Sequence, residues 1–177
     1  FNKVSAKSDE SSILNILKIN GYYFSTLKSF TEDIGDNRIN LTYEIKTGKK
    51  AKIKKISFIG DKKFKDSKLK NIIVSEEYKF WKFLSGKKFL NEALINFDTQ
   101  LLENFYKNNG FYNIKIASSY ANYLGGDQFE IIYNISSGEK FLFNKLTLNL
   151  PSDYDSEYFI NLENIFAKLK NKNYSLN

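Results

Sequence analysis

Between residues 128 and 136 apolar and polar side chains take turns: Phe129, Ile131, Tyr133 and Ile135 fall on one face, Glu130 and Asn134 on the other. A period of two marks a strand with one buried face. The stretch before it, roughly 113–123, reads as a second strand, with "GGDQ" at 125–128 as the hairpin turn. The same pattern occurs earlier, where Ile39, Leu41, Tyr43 and Ile45 oppose Asn40, Thr42 and Glu44. Residues 52–59 predict one more strand, with Ile56 and Phe58 facing one way and Gly60 ending it. The period then lengthens. "FKDSKLKNIIV" predicts a short helix with Asp66 or Ser67 as N-cap and Leu69, Ile72 and Ile73 inward. Residues 92–109 predict an amphipathic helix with Leu94, Phe97, Leu101 and Phe105 on its apolar stripe. Asn91 can cap its start, and Asn109-Gly110 supplies a left-handed stop. Between the helices, "EEYKFWKFLSGKKF" is an aromatic loop around Trp81.

These elements recur. Gly21 and Gly110, in "KINGYY" and "KNNGFY", lie 89 residues apart. Gly48 and Gly138, in "YEIKTGKK" and "YNISSGEK", lie 90 apart. "AKIKKISFIG" at 51–60 matches "FLFNKLTLNL" at 141–150, and an apolar-Asn pair recurs at Phe1-Asn2, Leu90-Asn91 and Leu176-Asn177. The repeat unit is therefore close to 90 residues, in the order strand, helix, helix, strand, strand. Gly21 and Gly110 read as backbone positions with positive φ, and Gly48 and Gly138 as the turn that closes each unit.

Composition narrows the chemistry. With 177 residues, 42% of them apolar, the chain can bury one good core or two small ones. Its apolar runs are only a few residues long, and it has no methionine and no basic-then-apolar leader, as expected of an internal piece of a longer precursor. No cysteine means no disulfide and no thiolate metal site; no histidine removes the commonest general base. The carboxylates Glu76 and Glu77 sit side by side in a loop without a partner at useful spacing, so no catalytic, cofactor or metal site is expected. Asp153, Asp155 and Glu157 in "DYDSE" lack the spacing and glycine of a calcium loop and read as an acidic helix start.

The net charge of +7 raises nucleic acid as a partner of a different class. It comes from 26 lysines and a single arginine, Arg38, beside 21 asparagines, a bias toward residues with AT-rich codons. Arginine, the residue suited to bidentate phosphate and base contacts, is nearly absent, which weakens that reading. Lys49, Lys50, Lys52, Lys54 and Lys55 cluster at a unit boundary and read as solvated surface rather than a lipid-binding patch. Trp81, with Tyr78, Phe80 and Phe83, reads as local packing rather than a partner surface.

At "ENFYKNNGFYN" and "YNISSGEKF" the chain resembles POTRA domains (polypeptide-transport-associated modules) of the BamA superfamily. The loop and helix "YKFWKFLSGKKFLNEALINFDTQLLENFYKNNGFY" are most similar to the third such domain. The resemblance implies an α+β fold of tandem β-α-α-β-β modules, each a three-stranded mixed sheet backed by two helices. On that reading 1–50 is the C-terminal half of one module, 51–140 a complete module and 141–177 the N-terminal half of the next. The two halves, each with an apolar face of its own, are expected to be covered by each other or by the central module.

The resemblance also implies a periplasmic scaffold of an outer-membrane protein assembly factor, at the outer membrane of a Gram-negative bacterium. Its partners are then unfolded outer-membrane β-barrel proteins, assembly-complex lipoproteins and a C-terminal membrane barrel, with no nucleic acid and no cofactor. A two-partner secretion or translocation barrel and, more remotely, a basic nucleic-acid-binding domain remain as alternatives. In the family the strand after the second helix lies at the sheet edge, here Asn113, Ile114, Lys115, Ile116, Ala117, Ser118, Ser119 and Tyr120. Such an edge offers backbone groups to an added strand. Ile114 and Ile116 are expected to anchor it. Lys115, Ala117, Ser119 and Ala121 fall on its polar, water-facing alternation, and proline at Lys115 or Ala117 is expected to block the edge.

Overall fold

The structure, a computed structural model, describes residues 3–81, 85–151 and 156–175. Helix α1 (Lys3–Ile19) leads into a hairpin of β1 (Thr26–Gly35) and β2 (Arg38–Lys46). Then come β3 (Lys52–Asp61), a short α2 (Asp66–Lys70), α3 (Glu92–Asn108), β4 (Lys115–Gly125), β5 (Gln128–Ser136) and α4 (Ile160–Leu169). The first hairpin is a two-stranded sheet; the central sheet runs β3-β5-β4, with β3 parallel and β4 antiparallel to β5. A parallel neighbour needs a crossover, and α2, α3 and β4 provide it. The fold is α+β, and 51–140 has the order β-α-α-β-β.

Period-two faces predict the core well. Ile56, Phe58, Ile131, Tyr133 and Ile135 are buried and meet Leu69, Leu102 and Tyr106 from the helices. Phe58 stacks on Tyr133 at 5.5 Å between ring centroids. The stripe of α3 is displaced by one residue from the expected one. Ile95, Asp98, Leu102 and Tyr106 are buried, whereas Phe97 is exposed. Both sets have helical spacing, and the aspartate in the true set hid it. In α2 the N-cap is Lys65, with no side-chain cap; Asp66 is the first helical residue and pairs with Lys62. Leu69 and Ile73 are buried, and Ile72 packs against the core.

Both long helices stop in one way. In α3 the Gly110 amide donates to Lys107 O and the Phe111 amide to Tyr106 O; in α1 Gly21 and Tyr22 make the same pair with Lys18 and Leu17. Gly21 and Gly110 stand at φ 88° and 96°, as such a stop requires. The freed glycine carbonyl then holds the start of the following segment: Gly21 O accepts from Ala51 N at 2.8 Å, and Gly110 O from Phe141 N at 2.7 Å. Asn91 Oδ1 caps α3 by accepting from Leu94 N, while its Nδ2 donates to Ile19 O at 2.8 Å, tying α3 to the end of α1. The turn glycines Gly48 and Gly138 have φ 67° and 68°.

The terminal segments do not pair with each other among the described residues. Among the described residues β1–β2 pairs with no other strand. Phe30, Ile39, Leu41 and Ile45 remain exposed, and contact with the central part includes joints such as Phe24 against Phe129. Residues 141–150, matched to β3 by sequence, form no strand ladder among the described residues: Leu142 makes an isolated bridge with Asn173, and Phe143 exchanges backbone bonds with Asn171 and Lys172.

Candidate functional site

Strand β4 is an edge of the central sheet. Asp127 O accepts from Lys52 N, and Ser137 N donates to Asp61 O. Odd-numbered positions along β5 therefore turn their backbone groups to β3, and even-numbered ones to β4. Tyr120 and Asn122 sit opposite Ile132 and Glu130, so their backbone groups enter the ladder. The backbone amides and carbonyls of Ser119 and Ala121 face outward, a template for an added strand.

One inserted residue sets this arrangement. Ile116 pairs with Ile135 and Ser118 with Asn134, so Ala117 has no partner and forms a bulge. A bulge flips the alternation. Beyond it Ser119 and Ala121 turn toward α3, not to water as expected: Thr99 Oγ1 donates to Ser119 Oγ at 3.4 Å, and Ala121 packs on the core. Lys115 and Ala117 stay exposed. Ile114 is buried, Ile116 packs against the core, and Asn113 and Tyr120 are exposed. Lys115 pairs with Ser136 on the ladder side, so proline there breaks a bond within the sheet instead of blocking the edge.

Beside the edge, the small side chains of Ser119 and Ala121 leave a cleft of about 280 Å³ against α3, with Leu90, Ile95 and Phe129 as apolar walls and Glu92 and Asn96 as polar ones. Tyr23, from the turn after α1, closes one end and packs on Phe129 at 6.0 Å. Burial, and then the Glu92 charge, raise the Tyr23 phenol above its ordinary value.

Asp98 is the central residue that the sequence reading passed over. It is fully buried, and its Oδ1 accepts from Val74 N at 2.6 Å and Ser75 N at 3.3 Å. Its Oδ2 accepts from Tyr133 Oη at 2.8 Å. The carboxylate thereby ties the loop after α2 to α3 and the middle strand. Burial, then the Asp98 charge and hydrogen bond, push the Tyr133 phenol far above its ordinary 10.0. In the unfolded chain the phenol loses its proton near that value; in the folded one it keeps it. Stability is thus expected to fall as pH rises past 10. A urea-midpoint series against pH checks this, with a shallower slope in Tyr133→Phe.

The other sequence candidates fall into place around this edge. Lys50 lies over the rings of Tyr22 and Phe89, Lys52 pairs with Asp127 at 2.9 Å, and Lys55 with Glu130 at 2.8 Å. Three of the five clustered lysines are thus engaged within the fold. Tyr78 packs locally against Phe89, but Phe80 and Trp81 project, 79% and 60% exposed, and among the described residues touch chiefly each other and Lys79. The backbone bond from Tyr78 N to Ile53 O holds the loop to β3 just before these two residues. Phe83, Asp153 and Asp155 lie outside the described residues. Among the described residues no group of acids could hold a metal ion, and no helix is long and apolar enough to cross a membrane.

A model of the POTRA family, described as a surface antigen variable number repeat, matches residues 51–138. Two curated relatives bear the name outer membrane protein assembly factor BamA. The Buchnera aphidicola protein is 25% identical over 139 residues, 70% of this chain and 22% of the relative. The protein of Neisseria meningitidis serogroup B is 32% identical over 80 residues, 45% of this chain and 10% of the relative. The chain spans less than a quarter of either relative. The crystal structure of POTRA domains 3 to 5 of Haemophilus influenzae BamA superposes with a TM-score of 0.51, covering 96% of this chain and 63% of that one at 13% identity, a likeness of fold.

Proposed function

We propose that residues 51–138, which match the POTRA model and resemble BamA relatives, form a POTRA domain of the BamA type, and that the chain belongs to the periplasmic scaffold of an outer-membrane protein assembly factor. Residues 1–50, 51–140 and 141–177 are then half a module, a whole one and half of the next. Its partners are unfolded outer-membrane barrel proteins, assembly lipoproteins and the membrane barrel that such a scaffold serves. It acts by position and binding, not catalysis. The observation that carries this reading is the outward backbone of Ser119 and Ala121 beside an open cleft. An extended client adds a strand to β4 and lays alternate side chains along the cleft. Each new backbone bond contributes about 0.5–1.5 kcal/mol, so a few give weak contact that tolerates many sequences and releases readily.

Proline separates the two sides of the strand. Ser119→Pro removes an outward N–H and is expected to keep the melting temperature while weakening binding of a lysine-flanked peptide of alternating valine and threonine. Loss of one or two bonds corresponds to about tenfold in Kd. Tyr120→Pro removes an inward N–H and is expected to lower the melting temperature. In the full-length protein, Ser119→Pro should slow outer-membrane protein assembly. A folded Ser119→Pro variant that binds and assembles as before would show the edge to be idle.

A further inference from the structure

The central sheet has a second edge, β3, and that edge is partly occupied from within the chain. Its outward positions past Lys52 are Ile53, Ile56, Phe58 and Gly60, and the chain itself engages all of them but Phe58. Ile53 O accepts from Tyr78 N at 2.6 Å, and Gly60 O from Lys62 N at 3.0 Å. Ile56 N donates to a side chain, Glu77 Oε1, at 3.0 Å. The carboxylate oxygen stands where the carbonyl of an added strand would stand. Lys70 Nζ holds the same oxygen at 2.6 Å. Burial alone would raise the Glu77 carboxyl; the Lys70 ammonium and the Ile56 amide outweigh it and hold the group below its ordinary value, so it stays an acceptor at neutral pH. Register also skips at Lys54, which adds a bulge and a charge to the same edge. Edge strands are commonly closed by such means. On β4 no side chain or loop takes the corresponding place at Ser119 and Ala121 among the described residues.

We infer that Glu77 is an edge guard: by capping the Ile56 amide it closes β3 to strand addition and so confines an incoming strand to β4. The inference rests on the strand-addition reading above and says which of two chemically similar edges is used. A sheet that accepted strands at both edges would bridge two clients or two copies of itself. One closed edge makes the module a one-sided receiver. Glu77 positions the partner without being required to touch it.

The test has two arms. Amide exchange of Ile56 is followed in wild type, Glu77→Ala and Glu77→Gln, and the same proteins are mixed with the valine-threonine peptide carrying a nitroxide. In Glu77→Ala the Ile56 amide is expected to exchange about tenfold faster or more. The nitroxide should then broaden β3 amides near Ile56 and Phe58 as well as those of β4, or the variant should self-associate in light scattering. Glu77→Gln keeps an acceptor oxygen and should behave as wild type. A folded Glu77→Ala with a protected Ile56 amide and a silent β3 overturns the guard. Should Glu77→Ala unfold, Lys70→Ala carries the same comparison: it leaves the acceptor unanchored, so faster exchange at Ile56 supports the guard and unchanged exchange overturns it. A wild type whose β4 is never broadened sinks the strand-addition reading instead, and leaves the exchange arm to decide the guard alone.

Discussion

Asp98→Ala is expected to cost about 3–5 kcal/mol and to leave little folded protein at 37 °C, because a buried polar partner is removed and its donors remain. Val74 N, Ser75 N and Tyr133 Oη all point at this carboxylate, which has no exposed surface. Truncation strands two amides and a phenol where water has no ready access, and adds a small cavity. Against a typical total of about 5–15 kcal/mol, that is a large fraction. Asp98→Asn is expected to be milder, by about half. Its oxygen can still accept from the Val74 and Ser75 amides, and its NH2 can donate to Tyr133 Oη, provided that the phenol turns its own proton away. The Ser75 hydroxyl is buried beside the phenol and can receive it. Denaturation midpoints of the two variants, with Ser75→Ala added to Asp98→Asn, check the argument. If Ser75→Ala costs nothing extra in the Asn background, the rearrangement is wrong.

The contrast between Asp98 and its helix neighbours marks what could be read from sequence. Strand faces were legible because period two leaves a single choice: once Tyr133 is inward, Ile131 and Ile135 follow. A helix of 17 residues carrying Leu94, Ile95, Phe97, Leu101, Leu102, Phe105 and Tyr106 offers two overlapping stripes. The true stripe contains a charge that apolar counting rejects, and only the amides of the loop after α2 make that charge welcome. The bulge is a subtler case. The repeat spacing changes from 89, at Gly21 and Gly110, to 90, at Gly48 and Gly138. One residue is therefore inserted between them. The register of β1 with β2 has no counterpart of the skip at Ala117. The insertion was visible in the spacing, but its place was not, and every residue assigned to a face beyond it was reversed. Glu77 was out of reach altogether. In sequence it is half of an adjacent acid pair, and its meaning depends on Ile56, 21 residues away.

Three alanine substitutions at glycine separate backbone strain from collision. Gly60, Gly110 and Gly125 have φ of 85°, 96° and 103°, so each variant bears a similar conformational cost, about 1–2 kcal/mol. What the new Cβ meets differs. At Gly125, in the hairpin turn, it meets nothing within 4 Å. At Gly110 it lies 3.0 Å from Phe141 O and from Lys140 Cγ, so the joint that holds residues 140–141 must give way. At Gly60 it lies 2.3 Å from Ile135 O, backbone of the middle strand that cannot move without parting β3 from β5. The expected order is therefore Gly125→Ala mildest, near the strain alone, then Gly110→Ala at about 2–3 kcal/mol, and Gly60→Ala at about 4 kcal/mol or more. The sequence pattern makes Gly60 the end of its strand. The strand instead runs on to Asp61, and glycine is there because β5 passes too close for any side chain. Gly110→Ala carries an extra signature, since Gly110 O also accepts from Phe141 N. Faster amide exchange at Phe141 than the loss of global stability accounts for is expected in that variant alone. Equal destabilisation of all three would mean that strain dominates and that neither the β3–β5 approach nor the joint is as tight as their geometry implies.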